Sequence, residues 1–246
     1  PGAQNTCSTP ATQASLLYPE AVALTATGDL LFLEGALYAS DPDEPYPIFI
    51  KGSRRIRRID LGTGIVSTIT TGGSKPVDLI VGRSGALFIT AVYPYQFDYP
   101  GKVHQFDPAT NIVSHIAGNG SVLGGPLGDG MAATSVSLYG YLNIAEGAGG
   151  RLLVSDPEHI RIRSVDLSTG LISTYAGTGV SGYSGEGGPA LAANLVPGPI
   201  ATDIAGNLYL YSDYRLRRVD AATGIISLVA GDGTPGSTGD GGPAAD

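Results

Sequence analysis

Cysteine and methionine occur once each, histidine three times and tryptophan not at all, and charged side chains make up only 15% of the 246 residues. Each shortage excludes something. With Cys7 alone there is no intrachain disulfide and no cysteine pair to grip a metal, so cysteine leaves the compartment open and its own role unassigned. No run approaches the roughly 18 uninterrupted apolar residues that cross a bilayer, and no membrane span is expected. The chain opens at Pro1 without Met or an apolar leader, which reads as a cleaved or excised product. Basic residues are few. Lys and Arg number 14 against 22 Asp and Glu, a formal charge of -8 whose field repels phosphate backbones, so nucleic acid is not an expected partner.

What is present is apolar and rich in turn-formers. A hydrophobic fraction of 42% argues for a packed core rather than disorder, and 37 Gly with 17 Pro suit many short strands. No Gly-X-Y period appears, which sets collagen aside.

The chain repeats itself. One landmark is a Gly followed two residues later by Leu and an apolar run: Gly28-Asp29-Leu30, Gly85-Ala86-Leu87, Gly150-Arg151-Leu152 and Gly206-Asn207-Leu208, spaced by 57, 65 and 56 residues. A second is an Asp closing a basic-apolar alternation, at Asp60, Asp107, Asp166 and Asp220. Each is followed by a turn ending in Gly64, Asn111, Gly170 or Gly224, residues able to take positive φ, and then by a β-branched run such as Ile65–Ile69 or Ile225–Val229. That is a hairpin signature. Nine residues before each landmark Gly stands Pro19, Pro76, Tyr141 or Pro197, opening one more short strand. Four strands per unit make an antiparallel sheet that cannot bury both faces alone, so the units must stack, and radial stacking gives a propeller.

Gly-rich connections join the units, as in Gly177-Thr178-Gly179 through Gly187-Gly188-Pro189-Ala190 and Gly231-Asp232-Gly233 through Gly241-Gly242-Pro243-Ala244. Together, Gly-Asn-Leu-Tyr, Ile-Arg-Ile-Arg-x-Val-Asp, Thr-Gly-x-Ile-Ser-Thr-x-Ala-Gly and Gly-Asp-Gly-Gly-Pro-Ala resemble the bacterial NHL repeat. Units three and four match it closely, units one and two with insertions. The missing Trp sets aside WD40 repeats, which carry a Trp-Asp dipeptide in each blade. The resemblance implies an all-β propeller with four visible four-stranded antiparallel blades, at about 17–75, 76–138, 139–195 and 196–246. Because such rings usually have six blades, it also implies part of a larger ring or of an assembly. Its activities range over ligand, protein and RNA binding and a few metal-dependent lyases, so activity must be argued from the site.

Four features are candidate sites. The Gly-x-Gly of the connections resembles a phosphate cradle, but no helix follows it, and a loop crossing between blades is expected. Asp129, Glu186 and Asp240 in those loops could ligate Ca²⁺, although carboxylates there are expected to cap turns. Basic residues recur two apart on one strand face, as Arg55 and Arg57, Lys102 and His104, Arg161 and Arg163, Arg215 and Arg217. Repetition in every unit favours architecture, with the guanidinium groups pairing to carboxylates such as the repeated Asp. His159, after Asp156-Pro157-Glu158, stands where the NHL family commonly has an Asn-His pair. His104 and His115 fall on outer strands, so a three-histidine zinc site is not expected.

The insertions break the repeat. Units one and two lengthen the connection between their second and third strands, over Gly35–Ser53 and Ala91–Gly101, with Tyr46, Tyr93, Tyr95, Phe97 and Tyr99. Aromatic rings give large contact area at low entropy cost, and nearby carboxylates orient a ligand. The expected binding set is therefore Tyr46, Tyr93, Tyr95, Phe97, Tyr99, Asp156, His159 and Asp213. No nucleophile elbow, His-Glu-x-x-His or Cys-His pair is present, while Asp78, Asp156 and Asp213 near the channel could serve acid-base chemistry. The reading is a secreted, extracellular or periplasmic scaffold that needs no cofactor and binds a protein, peptide or glycan, with self-association through exposed blade faces. The alternative is a metal-dependent propeller lyase or lactonase-like hydrolase with its site in the central channel.

Overall fold

The computed structural model describes residues 9–16, 19–25, 27–34, 37–39, 48–51, 55–71, 75–92, 101–107, 112–121, 128–236 and 240–244. Unit one holds β1 (Thr9–Pro10), β2 (Pro19–Leu24), β3 (Leu30–Glu34), a small side hairpin of β4 (Leu37–Ala39) and β5 (Ile48–Lys51), then β6 (Arg55–Asp60) and β7 (Ile65–Thr71). Unit two holds β8 (Lys75–Val81), β9 (Leu87–Val92), β10 (Gly101–Asp107) and β11 (Ile112–Ala117). Unit three is β12 (Ile144–Gly147), β13 (Arg151–Asp156), β14 (Arg161–Asp166) and β15 (Ile172–Ala176). Unit four is β16 (Ile200–Thr202), β17 (Leu208–Ser212), β18 (Arg215–Val219) and β19 (Ile226–Ala230). Each unit is an antiparallel sheet whose main strands pair in sequence order, and β1 adds to the outer edge of the first.

Within a sheet, residues two apart face the same neighbour. Leu152 and Val154 pack toward unit two with Phe88 and Val103, whereas Leu153 packs toward unit four with Leu208 and Leu210. A strand buried on both faces has no polar side to show, which explains the unbroken run Leu152-Leu153-Val154. The first two units meet over Leu31, Leu33, Ile56, Leu79, Leu87, Ile89 and Phe106.

The repeated Asp caps the hairpin that follows it. Asp166 Oδ1 accepts from the Ser168 backbone N (2.9 Å) and Oγ (2.6 Å) and from Thr169 N (3.0 Å), which hold its carboxyl down to about 2. Asp220 takes Thr223 N, Thr223 Oγ1 and Ala222 N in the same way, and Asp60 takes Thr63 N, each acid lying below its ordinary value. The inner strands of units three and four begin three residues later than the repeat suggested, at Ile144 and Ile200 rather than Tyr141 and Pro197. The residues ahead of them serve neighbouring strands instead: Leu142 O accepts Thr90 Oγ1 at 2.8 Å and Pro199 O accepts Tyr211 N at 3.0 Å.

Candidate functional site

Chain direction puts the second-to-third strand connections and the inter-unit connections on one face of the assembly. Basic side chains fasten them together. Arg161 donates from Nη1 to His159 O (2.8 Å) and from Nη2 to Thr178 O (2.6 Å). Arg215 repeats this with Asp213 O (3.2 Å) and Asp232 O (2.5 Å). The Gly-x-Gly of each connection is shaped by the contact. At Gly179 and Gly233, with φ of 88° and 91°, a Cβ would overlap the Arg161 and Arg215 guanidinium groups. The glycines seat a cation of the protein's own, with the carbonyls of Thr178 and Asp232 accepting from it, rather than cradling a phosphate with N–H groups.

Deeper in each sheet lies the second basic residue. Arg163 and Arg217 are wholly buried. Arg163 Nη2 meets Asp129 Oδ1 at 2.6 Å and its Nη1 lies 3.6 Å from Asp156 Oδ2. Arg217 Nε lies 2.6 Å from Glu186 Oε1, and its Nη1 and Nη2 donate to Asn194 O (2.8 Å) and Ser184 O (2.6 Å). Arg57 meets Glu34 at 3.2 Å. The acids that neutralise these arginines are thus loop and strand-end carboxylates, while the repeated Asp does the capping. Asp129 and Glu186, expected as turn caps or calcium ligands, are ion-pair partners. Among the described residues, no three His, Cys, Asp or Glu side chains form a group able to hold a metal ion.

The described candidates fall in different surroundings. Asp156 is fully buried and shared: its Oδ2 also lies 2.8 Å from His159 Nδ1. Asp156 therefore orients His159 and Arg163 and has no surface of its own for a ligand. Asp213 is partly exposed and lies 3.4 Å from Arg215 Nη1. Asp78 accepts from Leu79 N (2.8 Å) and from Ile144 N of the next unit (3.0 Å), so it ties two inner strands together. Tyr46, Tyr93, Tyr95, Phe97 and Tyr99 lie outside the described residues.

The sequence reading passed over an aromatic turn. Unit four joins its second and third strands by Asp213-Tyr214 alone, with φ of 54° and 56° at the two residues. Two positive φ values are the pattern of a type I′ turn, where Asn-Gly is usual and a Tyr is strained. Tyr214 is half-exposed and meets Tyr211 edge to face at 6.5 Å, while Arg215 stacks on Tyr183 at 3.9 Å. The signal was available: Ser212-Asp213-Tyr214-Arg215 leaves two residues for the turn and neither is Gly.

On the inner side, a cavity of about 360 Å³ is lined by Ile80, Ile144, Ile200, Arg83, Glu146 and Asp203 among others. Arg83 spans units, its backbone N donating to Glu146 Oε2 (2.7 Å) and its Nη2 reaching the carbonyls of Asp203 and Ile204. This cavity lies at the end of the inner strands away from the aromatic turn.

No protein-family model matches the chain, and no curated protein does. Solved structures do. A gluconolactonase from Xanthomonas campestris aligns with a TM-score of 0.50 at 17% identity, over 89% of this chain and 63% of that one. The four sheets are propeller blades. A protein of unknown function from Bacteroides thetaiotaomicron aligns at TM-score 0.47 and 14% identity over 93% of this chain and 62% of its own. An auxiliary nutrient binding protein from Bacteroides ovatus aligns at 0.47 and 14% identity, over 80% and 57%. The chain spans about three fifths of the length of these proteins. At such identities the likeness concerns the fold.

Proposed function

We propose that the chain is an NHL-type propeller segment, with blades at about 17–75, 76–138, 139–195 and 196–246, that binds a glycan, peptide or protein partner outside the cytoplasm. The binding face is the one carrying the second-to-third strand connections. The observation that supports this most is the Asp213–Tyr214 turn, because a bulky ring held at positive φ and left half in solvent costs stability without filling a core. Strain of that kind is kept where presentation of the side chain matters. Tyr211 meets it edge to face, and Arg215, the next residue, stacks on Tyr183, aromatic and cationic groups suited to sugar rings or peptide side chains. The described strands that flank the two insertions, Leu30–Glu34 with Arg55–Asp60 and Leu87–Val92 with Gly101–Asp107, end and begin on this face, and we assign Tyr46, Tyr93, Tyr95, Phe97 and Tyr99 of those insertions to binding. Asp156 and His159 position the unit-three turn beside it, and Asp213 supplies a carboxylate.

The test is a glycan and peptide array with the intact chain, followed by Tyr93→Ala/Tyr95→Ala/Tyr99→Ala. Binding should fall at least tenfold, about 1.4 kcal/mol, while the melting temperature stays nearly unchanged. A triple variant that unfolds, or that binds as well as the parent, overturns the reading. Elemental analysis of the purified protein addresses the competing lyase or lactonase-like reading, which a stoichiometric, tightly held divalent ion would favour.

A further inference from the structure

The outer strand of a blade has an edge of unpaired backbone groups, and in units one, three and four a strap covers it. β1 (Thr9–Pro10) lies along β7 of unit one, with Thr9 opposite Val66. The connections that lead into units three and four lay Ala132 beside Leu171 and Pro189 beside Ile225. In unit three, Gly130 N donates to Ile172 O (2.8 Å), Ile172 N to Met131 O (3.0 Å) and Ala133 N to Gly170 O (2.8 Å). Unit four repeats the pattern, with Gly187 N on Ile226 O (2.9 Å), Ile226 N on Gly188 O (3.0 Å) and Ala190 N on Gly224 O (2.8 Å). In unit one Ala11 N makes the last of these bonds, to Gly64 O at 2.7 Å. Under the straps the residue two after the turn glycine, Val66, Ile172 or Ile226, is 0% exposed.

Unit two lies inside the chain, with a neighbour on each side, and among the described residues its outer edge carries no strap. The sheet ends at β11. Val113 stands opposite Phe106 as Ile172 stands opposite Val165 and Ile226 opposite Val219, yet it is 47% exposed. The shared register turns its N–H and C=O to the open edge, where its counterparts bond their straps. The cause lies in the linkage: residues 72–74 alone separate β7 from β8, whereas 118–143 and 177–199 separate the later units. The link from Thr71 to Lys75 reaches at most about 14 Å, enough to enter the inner strand of unit two but not to visit its outer one on the way. The edge is also unguarded, because Ile112-Val113-Ser114-His115-Ile116-Ala117 has no Lys, Arg or Pro to repel an added strand.

We propose that the outer edge of β11 is a docking site for an extended segment of a partner protein, which adds to the sheet in the place that straps hold in the other units. The three occupied edges define its chemistry. Gly130-Met131-Ala132-Ala133, Gly187-Gly188-Pro189-Ala190 and Thr9-Pro10-Ala11 are all uncharged and end in Ala. Ala133 and Ala190 are at most 2% exposed, so that place takes a small side chain. The residue before it uses no N–H in these bonds, which is why Pro serves there. The partner segment is therefore Gly-x-Pro-Ala or Gly-x-Ala-Ala: its Gly N–H donates to Val113 O, and the carbonyl of x accepts from Val113 N. This edge is a second surface, separate from the face that carries the Asp213–Tyr214 turn.

The experiment is fluorescence anisotropy of a labelled peptide that copies residues 187–194 of this chain, Gly-Gly-Pro-Ala-Leu-Ala-Ala-Asn, blocked at both ends and titrated with the intact protein. It compares the parent with Val113→Pro, and the peptide with a version methylated on its first Gly nitrogen. Val113→Pro removes an N–H that the ladder to β10 does not use, so the strand is kept, and circular dichroism checks this. The parent should bind the peptide saturably, and each change should weaken binding about tenfold, since each removes one backbone hydrogen bond at the edge. Should Val113→Pro fail to fold, the methylated peptide decides. A parent that takes up no peptide overturns the proposal, and if light scattering shows it as a dimer that Val113→Pro dissociates, the occupant is a second copy. Binding that survives either change also overturns it, because the peptide then sits on another surface.

Discussion

Units three and four solve one problem in two ways. Both bury an arginine completely on the third strand, at Arg163 and Arg217. Unit three surrounds it with two carboxylates, Asp129 and Asp156, and shares the second with His159. Unit four has Ser212 where unit three has Asp156, keeps one carboxylate, Glu186, and replaces the other with the carbonyls of Asn194 and Ser184. The architecture requires a neutralised cation at this depth but not a particular source of neutralisation. Unit two removes both sides of the pair, with His104 at the arginine position and Ala91 at the acid position. Burial, then His115 and Lys102, push His104 down to about 4, so it is neutral where its counterparts are charged.

Breaking the pair should expose the difference. Asp156→Ala leaves Arg163 with Asp129 as its one carboxylate, opens a void beside it and releases His159, with an expected loss of about 3 kcal/mol in urea unfolding. Ser212→Ala, at the same repeat position, loses one hydrogen bond from Val196 N and should cost only about 1 kcal/mol. Comparable losses would dissolve the contrast between the units. Glu186→Gln lies between, at about 2 kcal/mol, because the two carbonyls remain on Arg217.

The smallest effect concerns unit two and is read from pH. The unfolded chain takes up a proton at His104 below about 6.5 and the folded chain only below about 4. Folding stability should thus decline as pH falls through that window and be insensitive to His104 above it. In thermal melts from pH 7 to 4, His104→Gln should decline less steeply than the parent. Parallel curves would show that His104 is not the group responsible. The capping carboxylates Asp60, Asp166 and Asp220, held below their ordinary values, act only at lower pH.

Much of the fold was legible because a propeller writes each structural demand once per blade. The landmark glycines, the capping Asp and the basic ladder all recur, and recurrence marked them as architecture. The partners of the ladder were not legible: Asp129 and Glu186 precede their arginines by 34 and 31 residues, in loops whose path depends on the neighbouring blade. The burial of Asp156 was hidden for the same reason, since a strand-end acid looks solvent-facing until the next connection covers it. Tyr214 was missed because one exposed Tyr carries no periodic signal; the two-residue turn without Gly was its one local sign, and the backbone angle shows what that sign meant.

That angle also supplies the most direct test of the binding face. Tyr214→Gly removes the ring and frees the turn to adopt positive φ without strain, so one variant separates the two roles a side chain can have. If the turn is strained in order to present Tyr214, the variant should gain up to about 1 kcal/mol of stability and bind the array-selected ligand at least several-fold more weakly. A variant that melts lower than the parent and binds equally well would mean that Tyr214 holds the turn together, and the account of this face would be wrong.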